Sequence, residues 1–270
     1  EDHPNVVMLF FEPLDGQGFF RCTGTLLDPT HVLTAAHCAG PGDGSGNFNT
    51  WASNLNPNRL LGLGGFCGGD GCQLQEIRDY FNSGTDGWVS GTAHPHPQYD
   101  GYSQFPDTYD IGMVVLDNPI NVAEYGTVPS LGQFDYLNEP GGRQGGIRNR
   151  QVAIVGFGLQ GRIPPFAGGD LQRYKGLSAV TNGGNSGVAG PQNFQFTNNP
   201  GQGSGSGGTC SGDSGGPAFW IEDGVETTTT IAINSYTITP QCNGTDYQFR
   251  TDTVTAQAFL GMFGFGDLVE

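Results

Sequence analysis

Apolar residues in this 270-residue chain come only in short bursts. Val6 to Phe11, Ile111 to Leu116, Val152 to Val155 and Thr230 to Ile233 are rich in β-branched and aromatic side chains. Clusters of Gly, Pro, Asn and Asp lie between them. Such bursts are short for core helices and suit strands bounded by turns, so the chain reads as all-β. The 47 glycines and a charged fraction of 13%, about half the usual share for a soluble domain, fit a molecule built on turns. No stretch approaches the roughly 18 apolar residues that a membrane-spanning helix needs. Only residues 253–260 look helical, with Thr253 as the N-cap and Gly261 as the stop. Residues 40–58, 161–170 and 197–208 read as loops. The last, TNNPGQGSGSGG, has the composition of a linker, or of a surface loop beside a site. Residues 119–150 show little alternation and join two halves.

Charge excludes some partners. One lysine, Lys175, and nine arginines face 26 acids, for a formal net charge of −16. Nucleic acid and anionic membranes both need a basic face, so neither is an expected partner. Six cysteines form an even set without CxxC pairs, which reads as three disulfides made in an oxidising compartment. Cys67 and Cys72, in Cys-Gly-Gly-Asp-Gly-Cys, have no His or second Cys pair near by, and a local loop bridge suits them better than zinc. His94-Pro-His-Pro97 is a poor metal site for a similar reason. Asp70, Glu76 and Asp79 form an acidic region without EF-hand spacing and read as a solvated loop. No metal or cofactor is expected. Asn243-Gly-Thr245 is a glycosylation sequon.

Three motifs carry chemistry. In Gly212-Asp-Ser-Gly-Gly-Pro217, small neighbours let a carbonyl approach Ser214, and the backbone N–H groups of Gly212 and Ser214 are candidates for stabilising an oxyanion. GxSxG also occurs as the nucleophile elbow of α/β-hydrolases, but Pro217 and the threonines from Thr227 to Thr230 oppose the helix that elbow requires. In Thr34-Ala-Ala-His-Cys38, His37 is a base suited to taking a serine proton near neutral pH. His3, His31, His94 and His96 lack comparable surroundings and read as surface or structural. In Asp110-Ile-Gly-Met-Val-Val-Leu116 one acid stands at the mouth of an apolar run. There it is costly unless paired, as against an imidazole. Asp107 is the rival. The order His, Asp, Ser differs from the α/β-hydrolase and subtilisin orders and fits the chymotrypsin one.

At these residues the sequence resembles the trypsin-like serine peptidases. TAAHC, DIGMVVL and GDSGGP are similar to that family's three hallmark blocks. Weaker likenesses, including those at His3 to Leu9, Cys22 to Leu26, Val155 to Gly158 and Asn234 to Tyr236, extend it over nearly the whole chain. The resemblance implies two antiparallel six-stranded β-barrels with a short C-terminal helix. Residues 1–125 would carry His37 and Asp110, and residues 126–270 Ser214 and the specificity pocket. It implies a secreted serine endopeptidase, monomeric, acting on protein or peptide substrates and open to protein protease inhibitors. The alternative is a catalytically silent binding or regulatory protein on the same fold.

By the same resemblance Cys22 pairs with Cys38 and Cys210 with Cys242, which leaves Cys67 with Cys72. Ser235, Tyr236 and Thr237 would bind substrate, with Ser235 near the triad aspartate, and Gly208 would be the pocket floor. A tryptic pocket wants an acid there, so small or medium apolar side chains are expected. Asp246 supplies an acid instead if the alignment slips by one. In the family a free Ile-Val-Gly-Gly amine pairs with the aspartate before the nucleophile, here Asp213. No such sequence occurs in these 270 residues: either that segment lies upstream, or Asp213 has another partner.

Overall fold

The computed structural model describes residues 2–14, 18–40, 48–55, 74–138, 147–163, 166–169, 171–183, 189–198, 207–239 and 241–267. Twelve of the strands close into two antiparallel barrels. The first contains β1 (Val6–Pro13), β2 (Phe20–Leu26), β3 (His31–Thr34), β4 (Phe48–Ser53), β5 (Val89–Pro95) and β6 (Gly112–Leu116), in the order β1-β2-β3-β6-β5-β4. A hairpin of β8 (Gly161–Ile163) and β9 (Phe166–Gly168) stands apart from the barrels. The second barrel contains β7 (Gln151–Gly156), β10 (Tyr174–Gly183), β11 (Asn193–Thr197), β12 (Pro217–Glu222), β13 (Val225–Thr237) and β14 (Thr245–Arg250), in the order β10-β11-β14-β13-β12-β7. Among the described residues three short α-helices accompany them: α1 (Ala36–Ala39), α2 (Leu74–Asn82) and α3 (Val254–Gly261).

The period-two alternation of strand side chains explains why some apolar bursts are unbroken. On β1, Val7, Leu9 and Phe11 point into the first barrel's core. Val6, Met8 and Phe10 point the other way, into a layer shared with Ala153 and Val155 of β7. On β7, Val152 and Ile154 fill the second barrel. Both faces of these strands are therefore dry, as in sheets covered on both sides. A fourth cluster joins Leu33 and Met113 of the first barrel to Ile233 and Phe249 of the second and to Phe259 and Leu260 of α3. The barrels are thus packed together through two apolar layers, and a side chain at the edge of one reaches the other.

Several expected loops are partly regular. Residues 48–53 of the expected 40–58 loop form β4, because Trp51 and Ala52 bury beside β1. The expected 161–170 loop contains the β8–β9 hairpin. Glu76 and Asp79 lie on helix α2, which is a correction to the solvated-loop reading. Phe81 is buried among Phe10, Trp51 and Trp88, with Ile77 and Tyr80 packed alongside. Helix α3 begins as expected: the Thr253 hydroxyl oxygen accepts from the Ala256 N–H at 3.2 Å. It includes Gly261 rather than stopping before it. Disulfides join Cys22 to Cys38 and Cys210 to Cys242. Cys67, Asp70 and Cys72 lie outside the described residues. Among the described residues no helix is long and apolar enough to cross a membrane.

Candidate active site

His37 sits on α1, immediately after β3, and the disulfide from the neighbouring Cys38 to Cys22 on β2 pins that turn. Asp110 precedes β6 and is fully buried. The chain reaches it through Tyr109, a non-glycine residue at φ +47, whose N–H donates to Gln192 Oε1 at 3.1 Å. The two side chains meet. The His37 backbone N–H donates to Asp110 Oδ1 at 2.8 Å, and His37 Nδ1 lies 2.9 Å from Oδ2. Ser235 Oγ, on β13, donates to Oδ2 as well. The Tyr102 hydroxyl donates to Oδ2 at 2.9 Å and lies 3.2 Å from His37 Nδ1. Asp107, the rival acid, makes no such contact among the described residues.

The electrostatics follow from this contact. Burial alone raises the pKa of Asp110, but the charge and hydrogen bonds of His37, with the Ser235 hydroxyl, outweigh it and hold the carboxyl below its usual range. Burial alone lowers the pKa of His37, but the Asp110 charge and hydrogen bond overcome that and leave the imidazole above its ordinary value. Its side chain stays 23% exposed, so part of it is reachable from solvent. Cys22, His37 and Cys38 lie close enough to share a metal, but both sulfurs are tied in the disulfide and offer no thiolate.

Ser214 lies on a tight loop shaped by Gly212 at φ +102 and Gly215 at φ +76, a region that glycine enters freely. Thr23 of β2 anchors this loop to the first barrel. Its N–H donates to the Ser214 carbonyl at 2.8 Å and its hydroxyl to the Gly212 carbonyl at 2.9 Å. A Cβ on Gly215 would fall 2.0 Å from Thr34 Oγ1 and 2.7 Å from the Ala35 N, so only glycine lets the loop close against the strand that leads to His37. From the other side Gly215 N–H donates to the Asn234 carbonyl at 2.8 Å, next to Ser235. The loop thereby touches both segments that hold His37 and Asp110. The N–H groups of Gly212 and Ser214 donate to no acceptor among the described residues.

A cavity of about 130 Å³ adjoins Ser214. Ser235, Tyr236 and Thr237 line it together with Thr209, Thr239, Arg162 and the Cys210–Cys242 disulfide. The Tyr236 ring stacks on Tyr247 with centroids 4.7 Å apart. Gly208 does not line this cavity; it borders a larger one and backs onto Asn198. Thr209 is the residue next to Ser214's cavity, its hydroxyl 2.9 Å from Asn234 Oδ1 and 2.6 Å from Asp246 Oδ2. Asp246 is fully buried behind it, accepting also from the Thr209 N–H and from Asn198, both at 3.0 Å. Burial pushes its pKa up. The acid is therefore part of the support for Thr209 and does not line the cavity.

The remaining histidines are engaged elsewhere. His96 is buried against Tyr109 and Phe259, and burial pushes its pKa down to about 4. His3 contacts Glu226, His31 contacts Asp28, and His94 packs on Phe263. Tyr102 and Thr23 are the site residues that sequence reasoning missed as such. Thr23 meets Gly212 and Ser214 from far away in the chain, and Tyr102 meets Asp110 eight residues on and His37 65 residues back, so no short motif marks either.

Two closed six-stranded barrels with the candidate site at their junction define a known architecture. This is the chymotrypsin-like fold of the trypsin-like serine peptidases. A CLIP domain-containing serine protease B10 of Anopheles gambiae is 24% identical over a 264-residue alignment, covering 83% of this chain and 59% of that protein. The chain thus spans less than two thirds of the length of this relative. No family model matches the chain. The peptidase relationship rests on the fold, the two disulfides and this distant likeness together.

Proposed function

We propose that the chain is a secreted serine endopeptidase in which His37, Asp110 and Ser214 form the catalytic triad. The observation that carries this reading is the Asp110–His37 couple: a buried carboxylate bonded to both the backbone and Nδ1 of one partly exposed histidine. That arrangement fixes the tautomer with the proton on Nδ1, leaving Nε2 free to act as a base.

In this reading Ser214 Oγ attacks the peptide carbonyl while its proton passes to His37 Nε2. Asp110 stabilises the imidazolium without taking the proton. The N–H groups of Gly212 and Ser214 receive the negative oxygen, each such donor being worth roughly 3 kcal/mol in barrier. His37 then protonates the leaving amine. A water molecule then gives a proton to His37 as its oxygen attacks the acyl carbon, and His37 passes that proton to Ser214 Oγ as the acyl C–O bond breaks. The segment Ser235–Thr237 binds the substrate backbone, and a cavity of about 130 Å³ with threonines in its wall suits small to medium uncharged side chains rather than Arg or Lys. Residues 1–125 and 126–270 act as two barrel domains in one monomer, and protein protease inhibitors would bind across the same cleft.

Labelling with a fluorophosphonate probe tests the reading. A single adduct mapped to Ser214, absent in Ser214→Ala, is the expected result. A folded, correctly matured chain that takes no adduct and hydrolyses no peptide would sink it in favour of a silent binding protein.

A further inference from the structure

The reaction above gives no role to Arg162. This residue lies on β8, in the hairpin that stands apart from the barrels. The hairpin is tied to the nucleophile loop through Ser211, the residue before Gly212. The Leu159 N–H donates to the Ser211 carbonyl at 3.0 Å, and Arg162 Nη1 donates to the Ser211 hydroxyl at 3.0 Å. Arg162 is exposed and lines two cavities. One is the cavity of about 130 Å³ beside Ser214. The other, of about 450 Å³, is the one that Gly208 borders. Thr209, Cys210 and Cys242 also line both, so Arg162 stands on the rim that the two share.

The chain has 26 acids, and other cations are paired with them. Arg78 binds Glu12, and Arg250 binds Asp135 and Asp252. Lys175, on the wall of the larger cavity, donates to Glu226 at 3.1 Å. Arg162 has no carboxylate partner among the described residues. Asp213 borders the larger cavity, but its oxygens are already engaged: the Gly158 N–H reaches Oδ1 at 2.7 Å, and the Cys210 N–H reaches Oδ2 at 2.9 Å. Its seat is made by glycines. A Cβ on Gly156 would fall 2.1 Å from Oδ1, and one on Gly158 would fall 2.1 Å from Oδ2. The positive charge it feels is that of Arg21, on β2, whose Nε lies 2.7 Å from where a Cβ of Gly212 would stand. Arg162 thus carries a charge that no internal acid takes up. Its guanidinium has more N–H donors than the one bond to Ser211 uses, in a fork that matches a carboxylate.

We infer that Arg162 is a specificity-determining residue of the proposed peptidase, selecting substrates that carry an acidic side chain within about two residues of the scissile bond. The inference rests on the reading of Ser214 as nucleophile. In that reading Gly212 receives the scissile carbonyl oxygen, and Arg162 is bonded to the residue next to it. An uncharged side chain fills the smaller cavity, and a neighbour that stays outside passes the rim where the guanidinium sits. An extended peptide advances roughly 3.3 Å per residue, so a long side chain such as arginine reaches positions on either side of the bond. The rest of the molecule sharpens the choice. With a formal net charge of −16 its field repels an acidic peptide, so a local cation favours one placement of the acid over all others. Lys or Arg in the same place would meet a like charge.

The test uses the full chain and matched peptides that differ only in Asp against Asn, or Glu against Gln, at each position flanking the scissile bond. The readout is the ratio of kcat/KM within each pair. The wild type should prefer the acidic member at one position by roughly fivefold, the size expected of an exposed ion pair, and the preference should shrink as salt rises. Arg162→Gln keeps a donor for the Ser211 hydroxyl without the charge, and should bring that ratio to about one. Arg162→Glu should invert it, so that a Lys peptide overtakes its Asp counterpart. A wild type that cleaves peptides with no acidic preference at any of these positions overturns the inference and leaves the role of Ser214 standing. A Gln variant that slows both members of each pair alike also overturns it, because the arginine would then only brace Ser211. A chain that takes no fluorophosphonate on Ser214 and cleaves nothing removes the peptidase reading itself, and this inference with it.

Discussion

Asp110 and Asp213 flank the proposed nucleophile from the two barrels, both accept backbone hydrogen bonds, and burial raises the pKa of both. The outcome is opposite: Asp110 ends below the usual carboxylate range and Asp213 at about 6. The difference lies in what touches the oxygens. Asp110 has an imidazole in direct contact, plus the hydroxyls of Ser235 and Tyr102. Asp213 has two backbone donors, a guanidinium acting across a glycine and a second acid, Asp246, working against it. Direct contact with a basic ring reverses the effect of burial, whereas charge at a remove only softens it.

The two acids therefore act on stability with opposite signs. Asp110, with its folded pKa lowered, contributes stability that is present above the ordinary carboxylate pKa and is lost as pH falls through its folded value. Asp213, with its pKa raised, favours the fold most below about pH 4 and does so less as pH rises through about 6. One carboxylate steadies the molecule in the range where a histidine base works, and the other is a strain carried in that same range.

The contrast can be broken at three places. The largest effect is expected from Asp110→Asn. It keeps the shape but removes the charge that orients His37, and kcat should fall by roughly 10⁴-fold with KM little changed, as steady-state kinetics on a peptide ester would report. Gly158→Ala strikes the other acid. The new methyl would overlap Asp213 Oδ2 and push the carboxyl from its seat, at a cost of roughly 1–3 kcal/mol. A lower midpoint in thermal unfolding and roughly tenfold slower labelling should appear together; an unchanged labelling rate would mean that the seat of Asp213 does not govern the loop. Tyr102→Phe is the mildest. The ring keeps its contacts with Tyr99 and Tyr236, and what is lost is the hydroxyl that donates to Asp110 Oδ2 and also lies near His37 Nδ1 and the Ser235 carbonyl. A less solvated Asp110 attracts the His37 proton more strongly, so the acid limb of the pH–rate profile should move upward by a few tenths of a unit with a severalfold loss of rate at its foot. A limb that stays put or moves down would show that Tyr102 packs without tuning.

Much of this was readable in the sequence, and the residues show why. The bursts at Val6 and Val152 are the β1 and β7 strands, because a strand covered on both faces leaves an unbroken apolar run. TAAHC, DIGMVVL and GDSGGP stand out because each packs several requirements into adjacent positions. Helix α2 was hidden, since its buried face amounts to Phe81 with Ile77 and Tyr80 amid charged neighbours. The support network was hidden for a different reason. Thr23 meets residues about 190 positions away, and Tyr102 and Arg21 likewise act on groups from other elements. Single side chains that work by long-range contact leave no local pattern.

The last helix has a consequence for assembly. Helix α3 follows β14 of the second barrel, yet Ala256, Phe259 and Leu260 pack with Leu27, Leu33, Ile111 and Met113 of the first. Helix α3 thus clasps the first barrel from the second. Between β6 and β7 it runs from Leu116 to Gln151 with no strand among the described residues. A cut there would place His37 and Asp110 on one fragment and Ser214 on the other, with α3 as the handle by which the second regains the first. Recovered labelling on mixing two such fragments would report the clasp itself, and the molecule would serve as its own split reporter.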